Sequence, residues 1–300
     1  MSVFDNDTAS NPMVTGRVAF CLSYNGARYH GWQAQKSGLP TVQKYLQQAI
    51  SKVANHPVEV VCAGRTDSSV HAAFQVVHLE TSAQRDLRSW VFGCNANLPK
   101  DISVFWAGNV NQDFHARFSA THRRYHYLIY NHPVRPSSFN NELTWCHYPL
   151  DEQRMHDAAQ CLIGEHDFSA FRAVGCQSKS PNRFLEFVNV QRFSNIVMID
   201  IKGNAFLHHM VRNIAGVLMA IGSGKKTVDW CEAVLESRDR TQADVTAPPH
   251  GLYLTHVDYP EHFGITVSGG APSIVQAMLA ASGHSPMMNS DNLWDISRLD

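Results

Sequence analysis

The run Thr41-Val42-Gln43-Lys44-Tyr45-Leu46-Gln47-Gln48-Ala49-Ile50-Ser51-Lys52-Val53 carries the strongest local signal in the chain. Val42, Tyr45, Leu46, Ala49, Ile50 and Val53 recur at helical spacing and form one apolar stripe. Pro40 stops the helix extending backwards and Thr41 can cap it. Upstream, Val18–Leu22 reads as a buried strand followed by the turn residues Asn25 and Gly26. Downstream come a strand over Val58–Ala63, a polar loop over Gly64–Val70 and a strand over Phe74–Leu79. Leu87, Trp90, Val91 and Cys94 then give a second helical stripe ending before Pro99, and Ile102–Ala107 is a further strand. The order is β-α-β-β-α-β.

The same order returns in the second half. Tyr125, Tyr127 and Ile129 alternate along a strand over Arg123–Tyr130, and Met155, Ala158, Ala159 and Leu162 mark a helix from about Asp151. Leu185–Val190 and Ile196–Ile201 are strands about a tight turn at Ser194-Asn195. Leu207, Met210, Val211, Ile214, Ala215 and Leu218 mark another helix. A helix near Val228–Leu235 precedes the last strand, Leu252–Val257. The expected fold class is α+β, with two ferredoxin-like, RRM-like halves whose sheets line a shared RNA-binding cleft. The boundaries are a flexible N-terminal tail at 1–16, an N-terminal α/β domain at 17–115, a C-terminal α/β domain at 116–260 and a flexible extension at 261–300.

Composition excludes several classes. A chain of 300 residues, 44% hydrophobic and 17% charged, can build real cores. No apolar run approaches membrane-spanning length, and residues 1–16 have neither the basic nor the apolar part of a signal peptide. The expectation is a soluble, cytoplasmic protein. Seven cysteines without a C-x-x-C pair suggest neither a disulfide framework nor a zinc knuckle. Net charge is −1, but Asp5, Asp7, Glu261, Asp291, Asp295 and Asp300 sit in the two ends, leaving the central segment mildly basic.

Tempting motifs fail. Gly222-Ser-Gly-Lys-Lys-Thr227 lacks the first glycine of a phosphate loop, because Met219 stands there. His208 and His209 are adjacent, so on a helix they would point apart and could not share a metal. Neither H-E-x-x-H nor G-x-S-x-G occurs.

The stretch Cys62-Ala63-Gly64-Arg65-Thr66-Asp67-Ser68-Ser69-Val70-His71-Ala72 places glycine, arginine and aspartate in a loop between strands. By residue type alone it is an ordinary turn with an ion pair. It resembles the active-site motif of the TruA family of tRNA pseudouridine synthases, A-G-R-T-D-x-G-V-H-A. Further blocks follow in the family's order: Tyr24-Asn25-Gly26 with Tyr29-His30-Gly31-Trp32-Gln33, Asn95–Pro99, Asp113–Ala120, Arg124–Tyr127, His166-Asp167-Phe168 with Phe171-Arg172, Asn204-Ala205-Phe206 leading to His209–Asn213, and Gly251–Leu254. The resemblance covers roughly residues 17–260.

It implies a homodimeric enzyme that isomerises uridines at positions 38, 39 and 40 of the tRNA anticodon stem-loop, with no cofactor and no metal. Asp67 matches the essential aspartate and Tyr125 the tyrosine packed against the target base. Arg212 matches the arginine paired with the aspartate, Arg65 one that fills the space left by the flipped nucleotide, and Leu252 an apolar wall of the pocket. A carboxylate can serve as nucleophile or base, and in either role it must be ionised. The base must leave its stack to reach it. Arg123, Arg124, Arg172, Lys179 and Arg183 are candidate phosphate contacts. One departure stands out. The family has a small residue and then glycine after the aspartate, where this chain has Ser68 and Ser69. A positive φ there would strain Ser69 by ~1–2 kcal/mol.

Overall fold

The computed structural model of the chain describes residues 13–267 together with 269, 270, 272, 275 and 276. Strands β1 (Met13–Tyr24), β2 (Val61–Cys62), β3 (His71–Asp86) and β4 (Ile102–Asn109) enclose helices α1 (Val42–Ala54) and α2 (Leu87–Asn97) in sequence. The remainder comprises β5 (His122–Asn131), β6 (Thr144–Cys146), α3 (Glu152–Ala159), β7 (Gly164–Asp167), β8 (Asn182–Phe193), β9 (Ile196–Gly203), α4 (Met210–Gly222), α5 (Trp230–Ser237) and β10 (Leu252–Asp258). The mixed α+β class expected from the sequence is what is observed, in the form of a large, mostly antiparallel sheet.

That sheet is continuous. Its order is β4-β1-β3-β10-β5-β9-β8-β7, with β2 on β3 and β6 on β5. Two separate sheets facing one cleft were expected. Instead β10 inserts between β3 and β5, pairing parallel with β3 through Tyr253↔His71 and Leu254↔Ala72 and antiparallel with β5. Edge pairing satisfies backbone groups that two separate sheets would leave open. Trp90 of α2 meets Phe20 of β1 edge-on, and α3, α4 and α5 pack on the sheet side that carries Tyr127, Ile129 and Val188. Strand alternation and register place both helix groups on one face. The cleft lies between them on that face, where Tyr125 and Leu252 line it.

Helix α1 spans the expected residues, but its polar side is not merely solvated. Gln43 Nε2 donates to the Val60 carbonyl, Gln47 Oε1 accepts from Val60 N–H and Ser51 Oγ accepts from Val58 N–H. These side chains replace sheet partners for residues 58–60, so β2 shrinks to two residues. Thr41 makes no capping bond and its hydroxyl is buried without a partner. The Val42 and Gln43 amides donate instead to the Gly31 and Trp32 carbonyls.

At the N-terminus, Met13–Gly16 belong to β1 and are not part of a tail; residues 1–12 lie outside the described residues. Most of the expected C-terminal extension also lies outside them. Within its described part, Phe263 meets Phe114 and joins the core around β1 and β3, and Val275 packs with Leu128, Met198 and Tyr253 behind the sheet. No helix among the described residues is long and apolar enough to cross a membrane.

Candidate active site

The loop between β2 and β3 is fastened at nearly every residue. Fully buried Gln75 clamps Gly64, donating to its carbonyl at 2.7 Å and accepting its N–H at 3.4 Å. The Thr66 hydroxyl bonds the Tyr24 hydroxyl at 2.8 Å, and its carbonyl accepts the Trp32 N–H at 3.0 Å. Ser69 N–H donates to the Tyr29 carbonyl. His71 Nδ1 accepts from Gly26 N–H and Nε2 bonds the His250 carbonyl, while the ring stacks on Tyr253 at 4.5 Å. Burial pushes His71 down to about 4. The ring is therefore neutral near pH 7, and its partners fix the proton on Nε2.

Val70 N–H donates to the Asp67 carbonyl, closing a turn over 67–70. Ser69 has φ +62° and Ser68 is not positive, the pattern of a type II turn that favours glycine at its third position. The strain foreseen for Ser69 is thus present. Relief of the ~1–2 kcal/mol strain exceeds the ~0.4–1 kcal/mol that glycine's unfolded-state freedom costs, so Ser69→Gly is expected to stabilise the fold by about 0.5–1 kcal/mol. Denaturant unfolding checks this, and an unchanged or lower midpoint counts against the strain.

Asp67, about a quarter exposed, is met from the other half of the sheet. Arg212 Nη1 stands 3.5 Å from Asp67 Oδ2, and Arg212 Nε is held by the Ala247 carbonyl at 2.8 Å. His208 Nε2 lies 3.3 Å from Asp67 Oδ1, and His209 Nε2 lies 3.3 Å from Asp67 Oδ2. This corrects the expectation that the two histidines point apart. Helix α4 begins only at Met210, and His209 is left-handed at φ +61°. Helical periodicity does not apply before that turn, so both imidazoles reach the same carboxylate. Burial holds His209 below its ordinary value, Arg212 adds to the effect and Asp67 opposes it.

Tyr125 projects from β5 into the same cleft, edge-on to Phe206 at 5.0 Å. Burial pushes its hydroxyl up to about 12, so it stays protonated near neutrality. Leu252, at the start of β10, is buried in the wall and Arg65 is exposed at the rim. The cleft holds about 810 Å³. All five residues singled out from the sequence are therefore brought together. Among the described residues lining the cleft, Asp67 is the single carboxylate, against Arg65, Arg117, Arg123 and Arg183.

Several suggested phosphate contacts are otherwise engaged. Arg123 donates to the Ala63, Arg117, Ala120 and Asn204 carbonyls. Arg124 alternates away from Tyr125 and makes a two-pronged pair with Asp200 at 2.7 and 2.5 Å. Arg172 donates to the Cys176 and Ser178 carbonyls, and Arg183 donates to the Ser178 hydroxyl and the Ser180 and Asn182 carbonyls. Sequence reasoning gave no role to Phe118, which is 76% exposed at the cleft, stacked on His115 at 4.3 Å with the Arg117 guanidinium 5.7 Å from its ring centre. A large apolar ring directly after an arginine in a basic loop was the available signal.

Comparison with known proteins agrees with this geometry. A family model described as tRNA pseudouridine synthase matches residues 20–119 and 158–260. A Pseudomonas aeruginosa protein named tRNA pseudouridine synthase A is 56% identical over 82% of this chain and 87% of its own. Proteins of the same name from Coxiella burnetii and Vibrio atlanticus are each 54% identical, covering 82% and 83% of this chain and 94% of their own. A solved chain of a Cbf5-Nop10-Gar1 complex aligns at 10% identity and a TM-score of 0.33 over 79% of this chain and 57% of its own, too distant to bear on the fold. The sequence matches define the class, isomerases that form pseudouridine in tRNA. Within it, the chain belongs to the tRNA pseudouridine synthase A family.

Proposed function

We propose that the chain acts on uridines 38, 39 and 40 of the anticodon stem-loop, with Asp67 as the group that attacks or deprotonates the flipped nucleotide. The observation that carries this reading is the lone carboxylate in an arginine-lined cleft, built from both halves of the sheet. The same pairing order in each half, β4-β1-β3-β2 and β10-β5-β9-β8, supports two ferredoxin-like units. The working unit in this reading is a cytoplasmic homodimer.

The reaction breaks C1′–N1, turns the base and forms C1′–C5. N1 gains a proton and C5 loses one, so nothing is oxidised or reduced. Asp67 acts as nucleophile or base, and Arg212 offsets its charge. Tyr125 gives the extruded base a ring face, Leu252 bounds it, and Arg65 occupies the place it vacated. Arg65 and Arg117 are the exposed cations at the cleft suited to phosphates.

Incubating tRNA labelled with tritium at C5 of uridine, then mapping the modified residues, tests the proposal. Binding without tritium release marks a tRNA-binding protein that lacks catalysis, and release from other positions overturns the assignment to 38–40. Phe118, exposed beside Arg117, is placed to stack on a neighbouring base. Phe118→Ala is expected to weaken tRNA binding by about 1–3 kcal/mol, or roughly 5- to 150-fold. Filter binding measures this, and unchanged affinity removes the stacking role.

A further inference from the structure

Asp67, His208 and His209 offer one carboxylate oxygen and two imidazole nitrogens, all within 4.8 Å of one another. Each Nε2 stands 3.3 Å from an Asp67 oxygen. Around a tetrahedral zinc ion with bonds of about 2.0–2.1 Å, adjacent ligand atoms are about 3.4 Å apart. The two imidazoles meet different oxygens of Asp67, and the three ligand atoms spread over as much as 4.8 Å, so closing on such an ion draws them together by about 1 Å, within the reach of side-chain rotation. Two imidazoles and one carboxylate suit zinc-like transition metals; magnesium and calcium prefer oxygen alone. The backbone supplies the unusual part, because the left-handed His209 turns two consecutive side chains onto one target. Arg212 opposes a cation, since its guanidinium lies 3.5 Å from Asp67 and is anchored at Ala247. It makes the site weaker than a structural one without closing it.

We propose that Asp67, His208 and His209 form a binding site for zinc-class divalent cations, whose occupation withdraws Asp67 from the reaction and inhibits the enzyme. The inhibition rests on the reading of Asp67 given above; the binding does not.

The test begins with the full chain free of RNA. Zinc chloride is titrated by calorimetry, and cobalt chloride by visible absorption, whose ligand-field bands report nitrogen-ligated cobalt of low coordination number. One leading site per chain is expected. His208→Ala, His209→Ala and Asp67→Asn should each weaken it at least tenfold. Cys176→Ser should leave it in place, although that thiol accepts the His208 backbone N–H at 3.4 Å. Circular dichroism confirms that each variant is folded, and His208→Asn and His209→Asn serve if an alanine variant is not. A leading site that survives all three ligand substitutions, or no one-to-one isotherm, overturns the proposal. In the tritium assay, zinc should inhibit wild-type enzyme reversibly, with recovery on chelation and protection by saturating tRNA. Full turnover with the site occupied defeats the inhibitory role. An enzyme that releases no tritium even without zinc refutes the reading of Asp67 and leaves the calorimetric result standing.

Discussion

Asp67→Asn is expected to lower turnover by about 10³-fold or more while leaving tRNA affinity within several-fold. The substitution keeps the shape of the side chain and the 67–70 turn, which depends on the backbone carbonyl of residue 67. Arg212 keeps its bond to the Ala247 carbonyl, so its side chain stays positioned. What disappears is the one carboxylate charge among the described residues of the cleft. An amide is too weak a base or nucleophile to start either route to glycosidic cleavage. Binding should persist because arginines, Tyr125 and Phe118 are unchanged around the cleft. Single-turnover tritium release and filter binding separate the two effects. A variant retaining a tenth or more of wild-type turnover would remove Asp67 from the chemistry.

The second large effect is expected at Gly26, remote in sequence from the reacting groups. A Cβ at this position would lie 1.9 Å from the Val70 carbonyl oxygen and 2.6 Å from its carbon. The obstacle is backbone, so no side-chain rotation relieves it. Gly26 N–H also donates to His71 Nδ1, which pins the start of β3. Gly26→Ala must therefore push the Asp67 loop away from residues 24–32 or open the seam around His71. The expected cost is about 3 kcal/mol or more in stability, at the upper end of overpacking. A shift of ~1 Å in Asp67 would lower activity about 10²-fold. Denaturant unfolding and tritium release on the same sample check both. Wild-type values in each would show that the loop adapts freely.

The two predictions mark what the sequence made legible. Asp67 was visible through an ordered set of motifs, since by residue type its loop is an ordinary turn. Helix α1 was readable because a period of 3.6 residues survives in any context. The curtailed β2 was not, because Gln43, Gln47 and Ser51 look like solvated helix residues until their partners are known. The short strands β6 and β7 are three and four residues long, too brief to show a period. His208 and His209 were misread by extending the helix one turn too far. Nothing in either sequence segment announces a left-handed residue at 209 or a two-pair junction between β3 and β10.

That junction has a consequence for biosynthesis. Strand β10 is made late yet occupies the middle of the sheet, and until it arrives the edge of β5 and the start of β3 stand open. A ribosome delivers Asp67 long before Arg212 and Leu252. The nascent chain thus lacks part of the cleft wall throughout most of its translation, and is vulnerable to intermolecular strand pairing over the same interval. Both deficits end in one late event, when β10 slots in and completes the hydrogen-bond ladder and the wall of the cleft together.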